Sequence, residues 1–400
     1  MKVLVVSSSV YTNSIPNSSI TGLAVMVRDI YDEVSKYCEV YLWPSQTILP
    51  AEDPSESFHI LNGGVKRWSR GIHYTDILKA FIHSSFRVGR FKSFLRKNAI
   101  LRIQVDIFKN LLHEVNPDIV NFHDFDDLNT QLMLYCHHKG IKSVVTNHLY
   151  IGHAAGCSNY DYSRRNENIL LSQHQLNVSV ISTGMKSRMM QDYPQLKDGN
   201  IYITKDGTSF KASGTKKAAQ GDSRKILLCV ANVMERKNQL QLVRALSLFD
   251  KFERSKFVVY FLGSDKQGQL AKAIKQYHCE DVAEYKGKVR SEEMADFYAN
   301  AFATITTTWC EGFGLTMIEG YAYGIPAILP DDIDSFEDIY EKNTAVAIHG
   351  RNDHDIVSAI KQCLSTEWDS DAIRHKSCLF TMDKVALEYI KMYKEIINKL

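Results

Sequence analysis

The chain opens on a short β-branched run, Val3–Val6, which breaks into a polar stretch, Ser7–Gly22, holding Pro16 and Gly22. Apolar residues then recur at helical spacing over Leu23–Lys36, with Val27, Ile30, Tyr31 and Val34 on one stripe. Cys38–Trp43 reads as the next strand. A strand, a loop, a helix and a second strand in that order open a doubly wound α/β domain. The pattern returns downstream. Asp118–Phe122 and Ser143–Asn147 predict strands that end in His123–Asp124 and in His148. Asn177–Ser182, a helix over Met185–Tyr193 and Asn200–Thr204 follow, leading into Asp206–Gly207. Ligands of such sheets bind beyond the carboxyl ends of the strands, so polar residues at those ends are site candidates.

Residues 211–225, KASGTKKAAQGDSRK, carry no large apolar side chain and predict an interdomain linker. The first pattern then restarts with a strand over Ile226–Ala231, a loop over Asn232–Asn238 and a helix over Gln239–Phe249. Phe257–Leu262 with its Gly263–Ser264 turn is the next strand-to-loop unit. Helices are expected over Gln269–Tyr277, Glu292–Tyr298, Leu315–Tyr323 and Asp355–Cys363, a strand over Ala303–Thr307, and a last helix over Lys384–Lys399. The expectation is two α/β halves, an N-terminal domain over 1–210 and a C-terminal domain over 226–383, with a closing helix over 384–400.

Composition narrows the picture only a little. Four hundred residues exceed what one core usually serves, in keeping with two domains. Hydrophobic content of 44% and charged content of 24% are ordinary for a globular protein. A formal net charge of +2 gives no bulk affinity for nucleic acid. The eight cysteines lie far apart without a CxxC pair, the pattern of buried reduced thiols in a cytosolic protein. MKVLVVSSS is too short an apolar stretch for a signal-peptide core, and no window of about 18 apolar residues appears. A cytoplasmic protein is expected, with contact to the inner membrane face left open. GxSxG, P-loop and complete GxGxxG signatures are missing, and His137–His138 has no HExxH-like metal spacing.

The chemistry concentrates after the strand Ala303–Thr307. There the chain reads Trp309-Cys-Glu311-Gly312-Phe313-Gly314-Leu315. Two glycines beside an incipient helix allow a ligand to approach the backbone, and free amides at the helix start favour phosphate. Glu319 follows about two turns on. A carboxylate does not bind phosphate comfortably, but it accepts hydrogen bonds from sugar hydroxyls. Two acids bracketing a phosphate nest therefore suit a nucleotide sugar, with a hexose at one end and a ribose at the other. Taken alone, such a turn occurs in many α/β proteins without a ligand. Lys237, in the loop after the first strand of the same half, adds a cation for a diphosphate leaving group. Arg236 beside it either assists or is solvated.

Glu311-Gly-Phe-Gly-Leu-Thr-Met-Ile-Glu319, continued by Gly320-Tyr-Ala-Tyr-Gly324-Ile-Pro326, closely resembles the E-x7-E region of glycosyltransferase family 4, the retaining "group 1" enzymes of GT-B fold. Val230–Asn238, Phe261–Gly263, Tyr285–Gly287 and Asp206–Gly207 resemble further family segments in the right order, strongly across about 225–350 and more weakly from 1 to 210. The resemblance implies two Rossmann-like domains facing a cleft, with the C-terminal helix crossing back to the first. Glu311 would meet the donor hexose, the amides of Gly312, Phe313, Gly314 and Leu315 its phosphates and sugar, Glu319 the ribose, and Lys237 the diphosphate. His148 matches the histidine near the anomeric carbon, and Gly22 the glycine that leaves room for acceptor and phosphate. Where the family has an arginine before the lysine, this chain has Asn232. Arg236 replaces that charge, or phosphate is held more weakly.

The implied activity is retaining transfer from a UDP- or GDP-linked sugar to a hydroxyl of a glycan or lipid-linked oligosaccharide, in surface polysaccharide synthesis. No cofactor or metal is required. Two other readings share the architecture. A non-hydrolysing sugar-nucleotide epimerase needs no acceptor, and a silent glycosyltransferase-like partner subunit would not bind donor. The triplets Asp124-Phe-Asp126 and Asp332-Ile-Asp334 resemble metal-binding DxD pairs only weakly. A solvated turn is expected at Asp332–Asp334, and His123–Asp124 is expected to line the cleft and meet the acceptor. The stretch 66–109 is basic with interleaved aromatics. Val88, Phe91, Phe94 and Leu95 share a helix face there, ringed by Arg87, Arg90, Arg96 and Lys97. It suits either a peripheral contact with an anionic membrane or a helix packed on the sheet with its cations in solvent.

Overall fold

The computed structural model describes residues 1–8, 22–45, 57–61, 91–150, 160–171, 176–209 and 224–399. Within them the chain builds two parallel sheets. The first contains β1 Lys2–Ser7, β2 Glu39–Pro44, β3 His59–Ile60, β4 Ile119–His123, β5 Ser143–Asn147, β6 Asn177–Val180 and β7 Ile201–Ile203, in the order 3-2-1-4-5-6-7. The second contains β8 Lys225–Val230, β9 Phe257–Leu262, β10 Ala283–Gly287, β11 Ala303–Ile305, β12 Ala327–Pro330 and β13 Ala345–Ile348, in the order 10-9-8-11-12-13. Each sheet starts in its middle, steps outward one way, then returns and steps the other. The reversals fall between β1 and β4 and between β8 and β11, the places where sheets of this topology bind ligands. These are the two doubly wound, Rossmann-like domains expected.

Helices cover both faces of the sheets, so the central strands are buried on both sides rather than alternating buried with exposed. All five residues of β5 are buried, as are the last five of β1. On one face of the first sheet, Phe108 packs against Trp43 and Phe122 at 6.1 and 5.9 Å between ring centres. On the other, Val27, Ile30, Tyr31 and Val34 of the helix Gly22–Val34 meet Val385, Tyr389, Tyr393 and Ile396 of the helix Met382–Asn398. The last helix of the chain thus completes a layer of the first domain. Each such buried side chain contributes roughly 1.5–3 kcal/mol. The second domain has its own core, with Leu227, Phe257, Phe261, Leu242, Ile360 and Val346 at its centre.

Several elements escape the sequence pattern. The helix Asp127–Lys139 buries Leu128, Leu132, Met133 and Cys136, but also Asn129 and Thr130, which blur its stripe. Asp126 caps its start and Gly140, at φ 66°, ends it. The strands β12 and β13 have four residues each, and short apolar runs do not distinguish strand from helix. The helix expected over Gln239–Phe249 ends at Leu246.

Most of the expected linker lies outside the described residues; Lys225, at its end, already belongs to β8. So do residues 66–90 and the side chains of 91–100, and with them the face built on Val88, Phe91, Phe94 and Leu95. Further along the helix Phe91–Val115, Ile107, Phe108 and Leu111 pack into the first domain. Among the described residues, no helix is long and apolar enough to cross a membrane.

Candidate active site

The loop after β11 is held to the loop after β8. Trp309 N donates to Arg236 O at 2.8 Å, Thr308 Oγ1 to the same oxygen at 3.1 Å, and Thr307 Oγ1 to Asn238 O at 3.0 Å. This lacing places the one-turn helix Glu235–Lys237 against Glu311. Lys237 Nζ donates to Glu311 Oε2, and the Arg236 guanidinium lies 3.9 Å from Oε1. Burial pushes the Glu311 carboxyl up, but the two cations together outweigh it and hold it below the usual range. Gly314 precedes the helix Leu315–Ala322 in the left-handed region, at φ 86°, and its conformation opens the amides at the helix start.

Glu319 lies on that helix, and Tyr298 Oη donates to its Oε2 at 2.5 Å. Burial raises the Glu319 carboxyl, and Asp29 on the first helix of the chain adds to the rise. Neither Tyr298 nor Asp29 carries a motif that reveals it in the sequence. Asn232 is exposed, and its Oδ1 accepts from Ser264 N at 2.9 Å. The second cation at the site is therefore Arg236.

From the first domain comes His148, just beyond β5. Its backbone N donates to Asp124 Oδ1 at 3.2 Å, its Nδ1 lies 3.3 Å from Asp206 Oδ1, and its Nε2 lies 2.8 Å from His123 Nδ1. Burial lowers the affinity of the His148 ring for a proton, but Asp206 and Asp124 more than restore it, so its pKa lies above the ordinary value. Burial and the neighbouring His148 push His123 well below the ordinary value, which keeps it neutral. His123 does not line the cleft as expected. It is 1% exposed, and its second nitrogen is taken by Tyr31 Oη at 2.8 Å. Asp124, in the left-handed region at φ 66°, turns its carboxylate to the His148 amide rather than to an acceptor.

The two halves meet at this site. Gly312 abuts the carbonyl oxygen of His148 so closely that a Cβ there would collide with it. The side chain of Phe313 is buried in the first domain's core, edge-on to Phe380 with ring centres 5.5 Å apart. Leu315 packs partly against the same core. Thr183 donates to Asp338 through both N and Oγ1, each at 2.8 Å, and Lys205 Nζ reaches the same carboxylate at 3.0 Å. Asp332–Asp334 is a solvated turn only in part, since Asp332 is exposed and Asp334 is not. Asp334 is buried and pairs with Arg188 of the first domain at 2.8 Å, while Asp332 pairs with Arg351. The charge of Asp334 thus serves the interface between the halves, while that of Asp332 stays within the second domain. Gly22 is the first residue of its helix, and the loop before it lies outside the described residues.

Among the described residues, no group of three or more His, Cys, Asp or Glu is placed to hold a metal.

Residues 213–377 match the family model of glycosyl transferases group 1. D-inositol 3-phosphate glycosyltransferase of Nocardiopsis dassonvillei is 22% identical over 202 residues, 46% of this chain and 47% of that one. The match thus spans about half the length of this curated relative. Among solved structures, sucrose-phosphate synthase from Thermosynechococcus elongatus superposes with a TM-score of 0.72 at 16% identity, covering 98% of each chain. A glycosyltransferase from Rickettsia africae gives 0.67 at 17% over 100% of this chain and 99% of that one. The lipopolysaccharide outer core galactosyltransferase WaaB gives 0.67 at 16% over 100% of both. Together with the two sheets, these likenesses establish the GT-B fold.

Proposed function

We propose that this chain, whose second domain is a group 1 glycosyl transferase domain on a GT-B scaffold, is a retaining glycosyltransferase. It moves a sugar from a UDP- or GDP-linked donor to a hydroxyl of a glycan or lipid-linked oligosaccharide. The setting is surface polysaccharide synthesis at the cytoplasmic face of a membrane.

The observation that carries this reading is the convergence of Lys237 and Arg236 on Glu311, beside the Gly312–Leu315 amides and opposite His148. A diphosphate entering there draws the cations away from Glu311 and frees its carboxylate for the hexose hydroxyls. The leaving phosphate then carries the developing charge, stabilised by Lys237, Arg236 and the helix-start amides. These fixed positive groups do the work that a divalent ion does elsewhere, so the reading needs none. Glu319 accepts from the ribose hydroxyls. The close approach of the two halves excludes water and limits donor hydrolysis.

A thermal-shift screen of UDP- and GDP-sugars, followed by product analysis with and without glycan acceptors, tests the proposal. A stabilising nucleotide sugar names the donor. Transfer with inversion would refute the stereochemistry, and stabilisation by no nucleotide sugar would refute the donor site.

A further inference from the structure

A buried hydrogen-bond chain runs behind His148. His123 Nδ1 and His148 Nε2 are 2.8 Å apart, with the two rings stacked at 17°. His123 Nε2 shares a hydrogen bond with Tyr31 Oη at 2.8 Å. Asn121 Nδ2 donates to both Tyr31 Oη and Tyr393 Oη, at 2.7 and 2.8 Å, and its own Oδ1 accepts from Thr146 Oγ1 at 3.1 Å. The two phenols are themselves 3.1 Å apart. Tyr31, Asn121, His123 and Tyr393 are all at most 1% exposed. Buried polar groups are costly unless paired, and this chain pairs them in series from the last helix to the rim of the cleft.

We infer that His123 is a positioning residue for His148, and that through it Tyr31 and Tyr393 tie the last helix of the chain to the reacting end of the donor site. The inference rests on the proposed donor site and on the place expected for His148 in it, near the anomeric carbon. Asn121 spends its two amide hydrogens on the phenol oxygens, which leaves two arrangements of the remaining protons; in the first Tyr393 donates to Tyr31 Oη, and in the second its hydroxyl hydrogen turns away from Tyr31. In the first, Tyr31 donates to His123 Nε2, His123 Nδ1–H donates to His148 Nε2, and His148 Nδ1–H donates to Asp206. In the second, His148 carries an added proton. Its Nε2–H then donates to His123 Nδ1, His123 Nε2–H to Tyr31 Oη, and Tyr31 to Tyr393 Oη. Asp206 keeps its bond in both.

The ring of His148 thus gains or loses a proton without turning, and its carbonyl stays against Gly312. The charged and titratable groups facing the pair are Asp124 and Asp206 from the first domain. Tyr389 and Tyr393 face Asp206 and Tyr31 from the last helix.

Two variants of the full-length protein separate the two nitrogens of His123. An asparagine amide superposes on the Nδ1 position, so His123→Asn keeps the link to His148. A glutamine amide reaches the Nε2 position, so His123→Gln keeps only the link to Tyr31. Ring-nitrogen NMR of the unliganded protein follows the titration of His148, and thermal melting checks the fold. In His123→Asn the titration of His148 stays within about half a pH unit of wild type. In His123→Gln its midpoint falls. With the nucleotide sugar that most stabilises the wild type, kcat at pH 7 falls about 10- to 100-fold in His123→Gln. It stays within about threefold in His123→Asn, and KM is unchanged in both.

Equal behaviour of the two variants would overturn the inference, as would a wild-type titration in His123→Gln. The titration needs no turnover. A wild type without transfer activity therefore sinks the proposed function while the NMR arm still decides the role of His123.

Discussion

Gly312→Ala tests whether the two halves meet as described. A Cβ at this position collides with the His148 carbonyl oxygen and lies 3.0 Å from Ile181 Cδ1. The Ile181 methyl can rotate away, but the carbonyl cannot, because Asp124 pins the His148 amide and β5 fixes the residues before it. Relief therefore requires the loop 309–314 to move away from the first domain by on the order of 1 Å. Overpacking of this kind costs about 1–3 kcal/mol. For domains of this size that is about 2–12 °C in melting temperature. Gly199→Ala is the control, since nothing lies within 4 Å of a Cβ there. It should melt within about 2 °C of wild type. A displacement of about 1 Å at a reacting centre also costs on the order of 100-fold in rate. Calorimetric melting of both variants, with initial rates on the identified donor, measures both effects. A Gly312→Ala protein that melts and turns over like wild type refutes the reasoning.

Three further outcomes follow from the same contacts. Lys237→Met removes the cation that meets Glu311 and should lower kcat/KM about 100- to 1000-fold, with a lower melting temperature because the buried Glu311 carboxylate keeps only Arg236; wild-type rates would remove Lys237 from the site. Tyr298→Phe removes the hydroxyl that holds Glu319 and should weaken UDP or GDP binding about tenfold by calorimetry. Unchanged affinity for both nucleotides would free Glu319 of its ribose role. Arg188→Met leaves Asp334 buried without its partner. Burial already pushes that carboxyl up to about 6. A raised carboxyl stabilises the fold fully below about pH 4 and loses that contribution as pH rises through about 6. The variant should therefore lose about 3 kcal/mol at pH 8 and much less at pH 5, where the carboxyl is protonated. An equal loss at both pH values, read by melting, contradicts the pairing.

The strands at the centres of the sheets were readable because apolar runs such as Val3–Val6 and Phe257–Leu262 are buried on both faces. The donor loop was readable because its glycines, acids and helix start are contiguous. What remained hidden depends on distance along the chain. Tyr31 and Tyr393 touch across 362 positions, and His148 meets Asp206 across 58. No local pattern marks such partners, although Asp206 stood out as a polar residue after a strand. The Asp332–Asp334 triplet shows the same limit from the other side. Both acids of the turn look solvated until Arg188 of the first domain is placed beside Asp334. His123 stands at a strand end, where site residues of such sheets lie, yet the fold turns it inward, and Tyr31 and His148 occupy both its nitrogens.

The last helix also sets an order of events during synthesis. When about 210 residues have left the ribosome, Val27, Ile30, Tyr31 and Val34 still lack Val385, Tyr389, Tyr393 and Ile396, which cover them in the finished protein. The first half to be made is therefore the last to be completed. Until the helix Met382–Asn398 has emerged, it presents an apolar face to the cell and to its chaperones. A stop codon just before Met382 would leave the second domain's core intact while stranding the first.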